Sequence, residues 1–145
     1  MKTPSLTWRR PANEDLPLLA QLNKRLIADE QSTNRMSVSQ LELRMQDWLS
    51  SGEYDALLFD EYGQTVAYAL YQQRIDSIFL RQFFVEEFAR RRGIGREAIR
   101  MLTGDVFPPS LRLTLDVLVA NDRARAFWNA VGFTPYSVMM ETTTG

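Results

Sequence analysis

Residues 89–99 read ARRRGIGREAI, with Arg90, Arg91, Arg92 and Arg96 around Gly93, Ile94 and Gly95. The run follows an apolar segment and opens a helical pattern. Glycines at such a place allow a tight curve and clear the path of a ligand. The first-turn amides of a helix add partial positive charge. Residues 90–95 can therefore aim several N–H groups at one point. A diphosphate is the natural occupant, because its oxygens match both the amides and the guanidinium groups. The spacing is neither GxGxxG nor GxxxxGK[ST]. A solvated basic turn before a helix would read the same way, so spacing alone leaves both readings open.

The rest of the composition narrows the chemistry. The 145 residues include no cysteine and no histidine. That removes thiolate nucleophiles, disulfides, and the commonest general base and metal ligand. No carboxylate cluster has metal-loop spacing, so no metal is expected. Seventeen basic and 18 acidic residues give a net charge of -1. A long nucleic-acid track needs a basic excess, so any anion site must be local and no nucleic-acid partner is expected. No apolar run reaches membrane-spanning length, and MKTPSLTWRR lacks a leader pattern. A single cytoplasmic domain over residues 1–145, with no membrane partner and loose ends at MKTP and TTTG, is the expectation.

These residues need positioning elements. Leu6–Arg9 reads as a strand. Asn13 is placed to cap a helix carrying the stripe Leu18, Leu19, Leu22, Leu26 and Ile27. Ser37 and Gln40 have capping-box spacing before a second helix, which SSG ends at 50–52. Tyr54–Phe59, Thr65–Gln72 and Ile78–Val85 read as consecutive antiparallel strands with turns at DEYG and RIDS. A helix over 93–102 stops before FPPS. A long buried strand is expected over 111–119. A short helix capped by Asn121 or Asp122 then ends at Gly132, and a last strand covers 136–141. The strand–helix–strand unit over 78–119 implies a parallel pair with a right-handed crossover.

VEEFARRRGIGREAI resembles the acetyl-CoA diphosphate loop of the GCN5-related N-acetyltransferase (GNAT) superfamily. Arg90, Gly93 and Gly95 fit its pattern of Gln or Arg, two residues, Gly, one residue, Gly or Ala. NDRARAFWNAVGF, residues 121–133, is similar to a second family segment through Asn121, Ala124, Trp128, Gly132 and Phe133. The element order matches almost the whole chain. The resemblance implies an α/β acyl-CoA N-acyltransferase (GNAT) fold. Its sheet would be mixed and mostly antiparallel, with one splayed parallel strand pair and helices on both faces.

The resemblance also implies roles. Acetyl-CoA (coenzyme A) would lay its pantetheine arm along Phe83, Phe84 and Val85. Its diphosphate would sit on residues Arg90 to Gly95 with Arg96 beside them, and Asn121 and Trp128 would border the arm. The backbone N–H of Val85 would polarise the thioester carbonyl for direct attack by an amine of a small molecule or peptide. Trp128 stands where many relatives carry a tyrosine acid. The leaving thiolate is therefore left to Trp128, water or Tyr136, and an acyl-CoA sensing module with little turnover is the alternative reading. Without histidine the base is a carboxylate: Glu86, Asp29, Glu30 or Asp116. Asp29 and Glu30 border the expected acceptor site. Arg81, a charge in the apolar strand IFLRQFFV, either holds an acceptor carboxylate or pairs with Asp116. Tyr68, Tyr71 and Phe79 are further candidates for lining the amine pocket. Relatives are often homodimers, and an edge strand over 134–141 would permit one here.

Overall fold

A computed structural model describes residues 4–145. Strand β1 (Leu6–Arg9) leads into helices α1 (Leu16–Asp29) and α2 (Val38–Ser51). Strands β2 (Asp55–Glu61), β3 (Gln64–Gln73) and β4 (Ser77–Val85) follow, then helix α3 (Ile94–Met101), strand β5 (Arg112–Thr114) and helix α4 (Asp122–Ala130). The five strands form one sheet in chain order. β1 to β4 are antiparallel, and β5 lies parallel to β4. Met1 to Thr3 of the expected loose start lie outside the described residues.

The centre of the sheet is buried on both faces, which explains its near-continuous apolar runs. Ala56, Leu58, Tyr68, Leu70 and Phe84 pack against Leu19, Leu22 and Leu26 of α1 and Met45 of α2. Leu57, Phe59, Ala67, Ala69, Ile78 and Leu80 face the other way, onto Ile94, Ala98 and Ile99 of α3. Phe127 and Trp128 of α4 pack on that second core. Each fully buried leucine or phenylalanine contributes about 1.5–3 kcal/mol of transfer free energy.

Local chemistry sets the boundaries. Ser37 Oγ accepts from Gln40 N at 3.1 Å, and Gln40 Oε1 accepts from Ser37 N at 2.8 Å, the expected capping box. Tyr62 and Gly63 take φ of 51° and 79°, the two left-handed residues of a tight hairpin between β2 and β3. Asn121 Oδ1 accepts from Ala124 N at 3.1 Å and starts α4. Asn13 does not cap α1. It lies inside a single 3-10 turn, Asn13–Asp15, and Asp15 reaches back to Ala12 N at 2.7 Å.

Two expected strands differ. The apolar run over 111–119 pairs only through Arg112–Thr114. A strand needs a partner for its amides, and β5 has only β4 beside it among the described residues. Residues 136–141 form no ladder, and Tyr136 and Met139 are 84% and 96% exposed. Apolar and β-branched content suits a strand without creating one where no edge is offered.

Candidate active site

The basic loop is built from a 3-10 turn, Glu87–Ala89, that breaks β4 away from its ladder. Ala89 N donates to Glu86 O at 2.9 Å, and Arg90 N to Glu87 O at 3.3 Å. Arg91 and Gly93 are both left-handed, with φ of 67° and 79°. Glu97 N donates to Gly93 O at 3.0 Å, so the amides of residues 94–96 lie in the first turn, where a helix offers no acceptor. A Cβ built on Gly93 meets nothing within 4 Å, which leaves open space above the cradle. Gly95 is a glycine for another reason. Its Cβ would lie 2.9 Å from Phe127 Cε1, so α3 and α4 touch there.

The four arginines divide. Arg92 makes a two-point pair with Glu61 at 3.1 and 2.9 Å, fastening the loop to the end of β2. Arg90 turns back over Phe84, donating to Val85 O at 2.9 Å and to Asp29 at 3.2 Å. Only Arg91 and Arg96 are without an ion pair among the described residues. The expectation of four guanidinium groups around the loop is therefore reduced to two, and Arg90 and Arg92 brace it.

Beside the loop the parallel pair opens. β4 and β5 pair at Ser77–Arg112, Ile78–Leu113 and Phe79–Thr114, and no further. From Leu80 to Val85 the β5-facing edge of β4 has no strand against it among the described residues. Glu86 N donates to Val66 O at 2.8 Å. Antiparallel alternation then turns the N–H and C=O of Val85, and of Phe83 two residues earlier, toward that open edge. Phe83 stacks on Phe127, and Trp128 meets Phe83, Phe127 and Phe133 edge-on at 4.9–5.6 Å. Trp128 is thus a half-buried wall of the opening. Above it Asp29 accepts from both Arg90 and Arg123 (2.9 Å), tying the end of α1 to the first turn of α4.

The other face of β4 carries a polar group of residues. A bulge between Leu70 and Tyr71 sets Leu70 opposite Gln82 and Tyr71 opposite Leu80, leaving Arg81 as the extra residue. A bulge places two successive side chains on one face, here Arg81 and Gln82. Gln82 Oε1 accepts from the buried Tyr68 hydroxyl at 2.8 Å. Arg81 donates to the Tyr54 hydroxyl at 3.2 Å, and its guanidinium lies 4.9 Å from the centre of the Trp48 ring. Arg44 stands 4.4 Å from the same ring and donates to Asn23 Oδ1 at 3.2 Å. Burial, and then the charge of Arg81, lower the pKa of Arg44. Glu30 is shifted the other way. Glu30 is exposed, so partial desolvation of its carboxyl raises the pKa and the neighbouring Asp29 raises it further. Tyr68 is pushed well above the ordinary phenol value, chiefly by burial and then by Glu30.

Several expected groupings change. Arg81 does not pair with Asp116, which is exposed. Glu86 joins the strand end but is bound to Arg25 at 2.7 Å. Asp29 is held by two arginines, which leaves it poorly placed to receive a substrate cation. Tyr71 points to the opposite face, donating nothing to this group and accepting from Arg10 at 2.7 Å. Phe79 stays on the face of Tyr68, with Arg74 over its ring. Tyr136 is not brought to the opening. Its ring lies against Arg112, which pairs with Ser77, the length of β4 from Val85, roughly 25 Å at about 3.3 Å per residue. Asn23 and Arg44 were missed. The signals were an asparagine inside the leucine stripe of α1, and an arginine one helical turn before Trp48. A cavity of about 220 Å³ lined by Ile78, Phe107, Leu111 and Leu113 lies away from all these groups and holds no titratable side chain.

The model of the acetyltransferase (GNAT) family matches residues 20–133, from α1 through the basic loop to the end of α4. The chain belongs to the GNAT family of acetyltransferases.

Solved structures share the GNAT fold. A predicted acetyltransferase with acetyl-CoA from Clostridium acetobutylicum superposes with a TM-score of 0.71 at 17% identity, covering 95% of this chain and 96% of that one. An acetyltransferase from Thermus thermophilus gives 0.75 at 19% identity, with 92% and 90% covered. The ribosomal-protein-alanine N-acetyltransferase of Brucella melitensis biovar Abortus 2308 gives 0.75 at 14%, with 96% and 100% covered. At these identities the likeness is one of fold. No curated protein matches the sequence. No helix among the described residues is long and apolar enough to cross a membrane.

Proposed function

We propose that this GNAT acetyltransferase moves the acetyl group of acetyl-CoA to a primary amine of a small molecule or peptide by direct attack. The observation that carries this reading is the unpaired edge of β4 beyond Phe79, opening next to the left-handed loop at the start of α3. A pantetheine arm has amides that need such an edge, and a diphosphate needs such a cradle. The open space over Gly93 fits the second requirement. Phe83 through its outward N–H and C=O, and Val85 through its N–H, would hold the arm, the Val85 carbonyl being taken by Arg90, and Phe84 backs them from the opposite core. The amides of residues 92–96, with Arg91 and Arg96, would hold the diphosphate. Asn121 and Trp128 would flank the arm.

Bound acetyl-CoA supplies an activated thioester. The chain's own work is to polarise, orient and deprotonate. The Val85 N–H, turned to the open edge, is placed to donate to a carbonyl oxygen as negative charge builds there. Glu30 is the preferred base. Its carboxyl carries no ion pair among the described residues, and its raised pKa gives it more basicity than an ordinary glutamate. Glu86, tied to Arg25, orients the strand end instead. Trp128 has an indole N–H to donate but no proton to give up at this pH. Solvent then protonates the leaving thiolate.

The test is an amine panel with acetyl-CoA, read as free thiol. Thiol release that depends on the amine supports the reading. Failure of coenzyme A to bind, by calorimetry, overturns it, and binding without release would leave a sensing role. A homodimer through residues 134–141, whose apolar side chains are exposed, is part of the same proposal and is checked by sedimentation.

A further inference from the structure

Arg44 and Arg81 both lie against the Trp48 ring, so their guanidinium carbons are at most about 9 Å apart. Neither makes an ion pair with a carboxylate among the described residues. Like charges this close normally share a counter-ion. Asn23 is 1% exposed, yet among the described residues its Nδ2 has no acceptor, and Arg44 Nε is likewise buried without one. Asn23 Oδ1 and the Tyr54 hydroxyl each take one guanidinium N–H. Every group left over is a donor. The cluster is short of acceptor oxygens and of negative charge. Arg81 is exposed, so the cluster is open to solvent on the side away from the core.

Resting on the acyl-transfer reading above, we infer that the acceptor amine also carries a carboxylate, held by Arg44 and Arg81 beside Trp48, with its amino group toward Glu30. Tyr68 supports the polarity of this arrangement. Its hydroxyl feels Glu30 on one hand and Arg44 on the other, so the acidic and basic groups border the same floor. Two planar guanidinium groups suit a carboxylate, whose two oxygens accept in a plane. The β4 bulge is what brings Arg81 onto this face, beside Gln82 and within reach of Tyr54.

The experiment uses matched acceptors with the intact protein and saturating acetyl-CoA. Amino acids such as β-alanine, γ-aminobutyrate and glutamate are compared with their carboxamides and with phosphoethanolamine. The carboxylates are expected to show kcat/KM about tenfold or more above their amides, mainly through KM, the worth of a charge-assisted hydrogen bond. Arg81→Gln, at an exposed position, is expected to collapse that ratio toward one, and Arg44→Gln likewise. Coenzyme A titration verifies that each variant is folded. Equal turnover of acids and amides overturns the inference while leaving acyl transfer intact, as does preference for the phosphoryl amine. Should no amine release thiol, calorimetry of the same carboxylates on the coenzyme-A-loaded protein decides separately. Binding that Arg81→Gln abolishes supports the anion site, and no binding rejects it.

Discussion

At the scale of single residues the proposal rests on Glu30 and Gly93. A base works in its ionised form, so activity should fall on the acid side as pH drops through the pKa of Glu30. That pKa is raised above its ordinary 4.5, which moves the acid limb toward neutrality. Glu30→Gln should lower kcat about 100-fold or more and flatten that limb. A pH–rate profile that keeps its acid limb in Glu30→Gln assigns the base elsewhere. Gly93→Glu addresses the cradle. The new side chain enters open space, so the core is untouched, although its left-handed φ of 79° costs about 1–2 kcal/mol. Its charge would sit where the diphosphate belongs, and calorimetry should show coenzyme A affinity lost while far-UV circular dichroism is kept. The place of the loop at the start of α3 and the Asn121 cap of α4 were legible in the residues. Which arginine does what was not. Arg90 and Arg92 read the same as Arg91 and Arg96 until Glu61 and Asp29, remote in sequence, are seen to take them.

At the scale of elements the two glycines separate. Gly95 lets the start of α3 lie against α4, with Phe127 held between Phe83 and Trp128. A methyl group at that position would press on the Phe127 ring, which packs on Phe83 and Trp128. Gly95→Ala should destabilise by about 1–3 kcal/mol in urea melts, as overpacked cores do. Adding Phe127→Leu should return part of that loss, so the double-mutant cycle shows favourable coupling. Independent losses that simply add would mean the helices do not meet as described. The elements themselves were largely readable, since capping boxes, hairpin turns and stripes are local signals. Ser37 with Gln40, and Tyr62 with Gly63, act within a few residues of themselves. The lengths of β5 and of the segment over 136–141 were not readable. Strand length depends on which edge another strand presents, and the divergence of β4 from β5 is a property of the sheet.

Across the described residues, seven ion pairs include several that fasten separate elements, and Arg91 and Arg96 are left outside them for a local anion site. Arg9 bonds Asp60 at 2.7 Å and Asp15 at 2.8 Å, and Thr65 joins Asp60 at 2.7 Å, linking β1, the entry to α1, β2 and β3. Bonding to Arg9 is the main cause that lowers the pKa of Asp15 below its ordinary 3.8. Its stabilisation is therefore present above about pH 3.8 and lost as pH falls through the lowered folded value. Glu30 has the opposite sign. Its folded pKa is raised, so its contribution is favourable below the unfolded value and is lost as pH rises through the folded one. Two variants should consequently move in opposite directions at pH 7. Asp15→Asn should lose about 0.5–1 kcal/mol, a modest figure because Arg9 is 41% exposed. It should also show a flatter acid limb in urea melts taken from pH 7 to pH 3. Glu30→Gln should gain a little stability at pH 7 while losing turnover, the gain kept small because Glu30 is exposed and its charge is screened. A Glu30→Gln protein that melts earlier than wild type at pH 7 would show that this carboxylate is kept for structure, and the base would then have to be sought elsewhere along the open edge.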